Sequence, residues 1–167
     1  IEATDDGNSI TYSEILNYDG YVNVHLSADD LTLVAQGDIG ANELTGESQS
    51  YSLNERNTSG VSGMITFNER VDGTTHTVIE LDGTQMGGRH PAHIHQNSVS
   101  EGGPIVVTFA TVDGATGMSQ TQIESTDEEM NITYSDILDY DGYVNVHLST
   151  DDLSVVSQGN IGINAGS

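Results

Sequence analysis

The stretch Tyr-Asp-Gly-Tyr-Val-Asn-Val-His-Leu-Ser at Tyr140–Ser149 stands a second time, residue for residue, at Tyr18–Ser27. Within it, Val144 and Val146 alternate with Tyr143, Asn145 and His147. Side chains on a strand point alternately to opposite faces, so the valines share one face and the tyrosine, asparagine and histidine the other. The stretch reads as a strand with an apolar side to bury.

Working outward, residues 1–42 lie over 123–164 without a gap. Ile10 falls on Ile132, His25 on His147 and Gly40 on Gly162, and most other pairs are identical or conservative. Residues 43–122 have no second copy. The chain therefore reads as a partial repeat, residues 1–42, followed by a complete domain, residues 43–167. At 167 residues it is long enough for one core and an appendage.

The rest of the sequence is also β-prone. Short runs at Ser62–Asn68, Thr75–Leu81, Ala92–His95, Ile105–Ala110, Gly142–Ser149 and Leu153–Gln158 are set off by Asp72-Gly73, Asp82-Gly83, Asp113-Gly114 and Asp141-Gly142, which read as turns. Evenly spaced short strands predict an all-β antiparallel Greek-key sandwich or barrel. A helical turn is expected at Tyr12–Leu16 and again at Tyr134–Leu138, with Ser13 and Ser135 as caps.

Six histidines bear on chemistry. In Ala92-His93-Ile94-His95 both imidazoles take one face of a strand. Laid beside Tyr143–His147, that strand brings His93, His95 and His147 together. Neutral imidazoles on rigid strands suit copper first, with zinc or nickel also possible. His25 is the repeat's counterpart of His147 and a candidate ligand for a further site. His90 precedes Pro91 at a spacing that strand alternation does not place with the others, and reads as a residue that orients a ligand. His76 reads as an exposed strand residue.

Composition narrows the partners. Twenty-six acidic residues face three arginines and no lysine, for a net charge of −23. Such a surface excludes nucleic acid and anionic membranes as partners. It needs screening salt or bound cations, and resembles proteins of salt-loving archaea and bacteria; an ordinary acidic secreted protein is the alternative. With no cysteine there is neither a disulfide nor a thiolate ligand. No apolar run reaches membrane-spanning length, about 20 residues. The sequons at Asn57 and Asn131 suit an extracellular or cell-surface location. The acidic pairs around Asp5, Asp29, Asp127 and Asp151 lack the spacing of a calcium loop and read as solvated surface.

The order Leu44-Thr45-Gly46, Ser59-Gly60, Ala92-His93-Ile94-His95, Gly103-Pro104-Ile105-Val106-Val107, Tyr143-Val144-Asn145-Val146-His147 and Gln158-Gly159-Asn160-Ile161 resembles the CHRD (chordin-type) domain over about residues 41–163. Leu148 replaces the family's threonine after the last histidine, and Ser157-Gln158-Gly159 replaces a basic closing segment. More distantly, Gly88–His95 and Val146-His147 are similar to the copper-binding strands of copper/zinc superoxide dismutase. The sandwich or barrel is superoxide-dismutase-like or Ig-like, and the likeness implies His93, His95 and His147 as copper ligands and His90 as a structural histidine. Gln96–Gly102 is too short for that enzyme's zinc loop.

Together these readings point to a non-enzymatic extracellular CHRD-type module with a copper site. A copper-only, dismutase-like redox enzyme is the alternative. For the partial repeat three fates stay open: packing on its own domain, being a remnant of a longer array, or inserting into copies of itself. Insertion builds a head-to-tail fibre, in which His25 stands beside the next copy's His93 and His95.

Overall fold

A computed structural model describes residues 3–166. In chain order the elements are α1 (Tyr12–Leu16), β1 (Asp19–His25), β2 (Leu33–Gly40), β3 (Leu44–Glu55), β4 (Ser62–Arg70), β5 (Thr75–Asp82), β6 (Arg89–His90), β7 (Ala92–Gln96), β8 (Ile105–Thr108), β9 (Val112–Asp113), β10 (Met118–Ile123), α2 (Tyr134–Leu138), β11 (Asp141–His147) and β12 (Val155–Gly162). The fold is all-β, and its pairings are antiparallel. The chain divides into two compact units, Ile1–Thr45 with Arg70–Asp72, and Gly46–Glu69 with Gly73–Ser167.

The larger unit is built on a ten-stranded sheet in the order β6-β9-β10-β5-β4-β3-β12-β11-β7-β8, curled into a half-barrel. Alternation explains its core. On β4 Ile65 and Phe67 point inward, on β5 Ile79 and Leu81, on β7 Ala92 and Ile94, and on β11 Val144 and Val146, none more than 7% exposed. The α2 turn closes one end with Ile137, fully buried. β11 is covered on both faces from Gly142 to His147.

The smaller unit holds α1 and a separate two-stranded sheet, β1 with β2. Arg70 belongs to it, its guanidinium 3.2 Å from the Asp38 carboxylate and donating to the Asn42 carbonyl at 2.6 Å.

The two copies of the repeat fold alike locally. β1 pairs β2 from Asp19↔Gly40 to His25↔Leu33, and β11 pairs β12 from Asp141↔Gly162 to His147↔Val155, each with a bulge just before the histidine. Both end in a left-handed glycine, Gly40 at φ 63° and Gly162 at φ 57°. A Cβ at Gly162 would come within 2.0 Å of the Tyr140 carbonyl oxygen, so only glycine fits there.

The structure corrects three local expectations. The helix caps are Thr11 and Thr133 rather than Ser13 and Ser135. Each threonine accepts the N–H of the third helical residue, Glu14 or Asp136, whose carboxylate accepts the threonine's own N–H. This reciprocal pair satisfies two otherwise unpaired donors, and the serines fall inside the turn. Asp141-Gly142 is not a turn but the start of β11. A Cβ at Gly142 would press on the Tyr140 ring at 2.6 Å and the His95 carbonyl at 2.9 Å, so this glycine serves close strand approach. His76 is half-buried on β5 rather than exposed.

Burial sets the two repeats apart energetically. Val146 is fully buried whereas its counterpart Val24 is 49% exposed. In dilute protein, Val146→Ala should lower the stability of the larger unit by roughly 1–3 kcal/mol. Val24→Ala should leave that transition within about 0.5 kcal/mol. Chemical denaturation followed by far-UV circular dichroism measures both.

Candidate metal centre

The site begins with the pairing of β7 and β11. Tyr143 lies opposite His95 and Asn145 opposite His93, so alternation puts all four on one face. The bulge at Val146/His147 skips Val156 on β12, shifting that pairing by one residue, while alternation along β11 keeps His147 on the same face. The result is a cluster in which His93, His95 and His147 each offer a ring nitrogen, all within 4.8 Å of one another. His93 and His147 lie 5.2 Å apart by ring centroid, His93 and His95 6.0 Å.

The surrounding loops fix the rings. His95 Nδ1 lies 2.9 Å from the Gly103 carbonyl and His147 Nδ1 2.7 Å from the Leu153 carbonyl. A carbonyl oxygen only accepts, so both Nδ1 atoms carry a proton, which in a neutral ring leaves the lone pair on Nε2. The Tyr143 ring stacks on His95 at 4.9 Å, and its hydroxyl accepts the Gly103 N–H. Leu153 is held by an acidic turn in which Ser149 Oγ accepts the N–H groups of Asp151 and Asp152, and Asp152 accepts that of Ser154. The acidic pair thus shapes the loop that orients His147.

Two ring nitrogens, His93 Nδ1 and His95 Nε2, are buried with no hydrogen-bond partner. A polar atom buried without a partner is costly unless something binds it. Burial, reinforced by the neighbouring imidazoles of His147 and His95, lowers the His93 pKa, with Asp127 opposing. Burial also lowers that of His95, against the hydrogen bond to Gly103. Both rings are thereby biased toward the neutral form that ligates a metal.

His90 is buried behind the cluster, its Nδ1 3.1 Å from the carbonyl of His147. The Pro91 carbonyl accepts the His147 N–H at 2.8 Å, so two adjacent residues hold the backbone of one cluster histidine. His25 lies on β1 of the smaller unit and is not part of the cluster. Its Nδ1 meets the Leu31 carbonyl at 2.8 Å, the same arrangement that orients His147. Alternation alone places Tyr143 and Asn145 on the histidine face of β11, but only the fold shows them lying opposite His95 and His93.

Because the folded chain favours neutral His93 and His95, their pKa values lie below the ordinary imidazole value of 6.5. The stability this contributes is present above that value and is lost as pH falls through the lowered values. The melting temperature of metal-free protein should therefore drop as pH is taken below about 6.5, more steeply for wild type than for His93→Asn/His95→Asn. A series of thermal melts in high salt tests this.

The model of the CHRD domain family matches residues 40–157, which include β3 to β11 and all three clustered histidines. No curated protein is similar enough to count as a relative. With well over half of its length matched, the chain belongs to the CHRD domain family.

Proposed function

We propose that the chain is an extracellular CHRD-type binding and structural module whose His93, His95 and His147 hold one copper ion. The observation that carries this reading is the cluster of three imidazoles with a ring nitrogen of each within 4.8 Å of the others, two of the rings having a nitrogen buried without a partner. The donor set fits: His95 and His147 have Nδ1 engaged with carbonyls and so offer Nε2, and His93 offers one ring nitrogen. All-imidazole coordination on strands favours copper, and zinc next. The chain's net charge of −23 attracts cations and disfavours anionic ligands.

Three protein ligands leave room for a further one, and this favours a second reading, copper-only dismutase-like redox chemistry. Bound copper would supply the electron transfer there. The chain's own part would be to hold the three rings in place and to keep those of His93 and His95 neutral.

Self-association belongs to the same proposal. The apolar residues of β1 and β2 stand exposed, among them Val22, Val24 and Val34 at 49%, 49% and 54%. A surface of this kind invites pairing with copies of the chain and head-to-tail growth.

Copper titration with elemental analysis in high salt should give about one copper per wild-type chain and none for His93→Ala/His95→Ala. Metal-free wild type would sink the copper reading. Superoxide turnover by the loaded wild type would favour the enzyme over the module. Independently, sedimentation should show mass rising with concentration, and salt should promote it by screening the like charge. A concentration-independent monomer would remove self-association.

A further inference from the structure

The face that β1–β2 leaves exposed is the face that β11–β12 buries. Tyr12 is 76% exposed where its counterpart Tyr134 is 8%, and Val34 54% where Val156 is 4%. The cap, the register, the bulge, the ring-to-carbonyl hydrogen bond and the final left-handed glycine are the same in both hairpins. What differs is the neighbours. β11 is flanked by β7, and β12 by β3 through Ser157↔Glu55 and Gln158↔Asn54. β1 and β2 form a sheet of two strands only. A lone two-stranded sheet is marginal in water, so the smaller unit has an unfilled need that the larger one shows how to fill.

We propose that β1–β2 seats on β7 and β3 of a second copy of the chain, in the register of β11–β12, and delivers His25 as third ligand to that copy's His93 and His95. This rests on the self-association reading above and names its contact. In that register Tyr21 lies opposite His95, Asn23 opposite His93 and Gln36 opposite Asn54. Every residue of β11 from Asp141 to His147 has its identical counterpart in β1, so the pairing face is preserved in full.

The second copy is favoured over the chain's own seat by connectivity. Residues 41–43 are bonded to Val71 and Asp72 and lead directly into β3, without slack for β2 to fold back onto Asn54. The exchange releases the second copy's β11–β12, which carries the same face. Apart from the Ser157 Oγ hydrogen bond to the Asn54 carbonyl, for which Ala35 has no counterpart, the same strand pairings re-form, so concentration against the tether of the resident hairpin sets the balance. Each such contact is head-to-tail and need not close, so exchange extends into a filament.

The test uses the full chain, which has no cysteine of its own. Gln36→Cys and Asn54→Cys are introduced together, with and without Val144→Asp/Val146→Asp, which expels the resident hairpin. An intermolecular disulfide should form, weakly with the resident hairpin intact but increasing with concentration, and strongly when it is expelled. Adding Val22→Asp/Val24→Asp should reduce it at least about tenfold, since two unpaired carboxylates would then face the core. In the Val144→Asp/Val146→Asp chain, His25→Ala should abolish copper binding, whereas in wild type it should leave the site on His147 loaded. An intramolecular disulfide alone, no disulfide in either background, or a disulfide indifferent to Val22→Asp/Val24→Asp would each overturn the proposal. The concentration series with the resident hairpin intact decides the matter even if the aspartate variant does not fold. Mass that rises with concentration without this cross-link would overturn this contact and leave self-association standing.

Discussion

The larger unit depends on one strand being paired on both sides. β11 lies between β12 and β7, and the same seven residues supply valines to the core on one face and Tyr143, Asn145 and His147 to the face of the histidine cluster on the other. Shifting this strand by a single residue would send the valines outward and the histidine inward, so core and site share one register. The bulge before His147, the register shift before His95 and the glycine at 142, which lets β7 approach, are departures from regular geometry beside the site.

The acidic composition is built into local structure as well as surface charge. Asp6, Glu14, Asp30, Glu101, Asp136 and Asp152 all have lowered pKa values, caused chiefly by hydrogen bonds from nearby threonine or serine side chains and backbone N–H groups. With no lysine and three arginines, few carboxylates can find a cationic partner. Capping helix turns and closing loops is how such a chain uses its carboxylates. One of these loops presents the Leu153 carbonyl that orients His147, which links the charge pattern to the histidine cluster.

Much of this architecture was legible because it follows period-two alternation. The strands at β4, β5, β7, β11 and β12, the all-β class and the shared face of His93, His95 and His147 came from that signal. Other parts were not. β10, Met118–Ile123, is mostly polar along its length and lies between β5 and β9, so its sequence carries no apolar stripe strong enough to mark it. The helix caps were placed two residues late because Ser13 and Ser135 are plausible caps by type, and only the hydrogen bonds of Thr11 and Thr133 separate the candidates. Asp141-Gly142 looks like a turn to any local reading, since the reason for Gly142 is the His95 carbonyl, 47 residues away.

The repeat separates what each level decides. Sequence by itself determined the local form of both copies, down to the capping box, the bulge before the histidine and the closing glycine, because those features depend on bonds within a few residues or across one hairpin. It could not determine burial. The same Tyr-Val-Asn-Val-His lies exposed in β1 and enclosed in β11, because burial is a property of neighbours, and only β7 and β3 provide them for the second copy. For the same reason a histidine identical in sequence and local hydrogen bonding joins a three-imidazole cluster at position 147 and not at position 25.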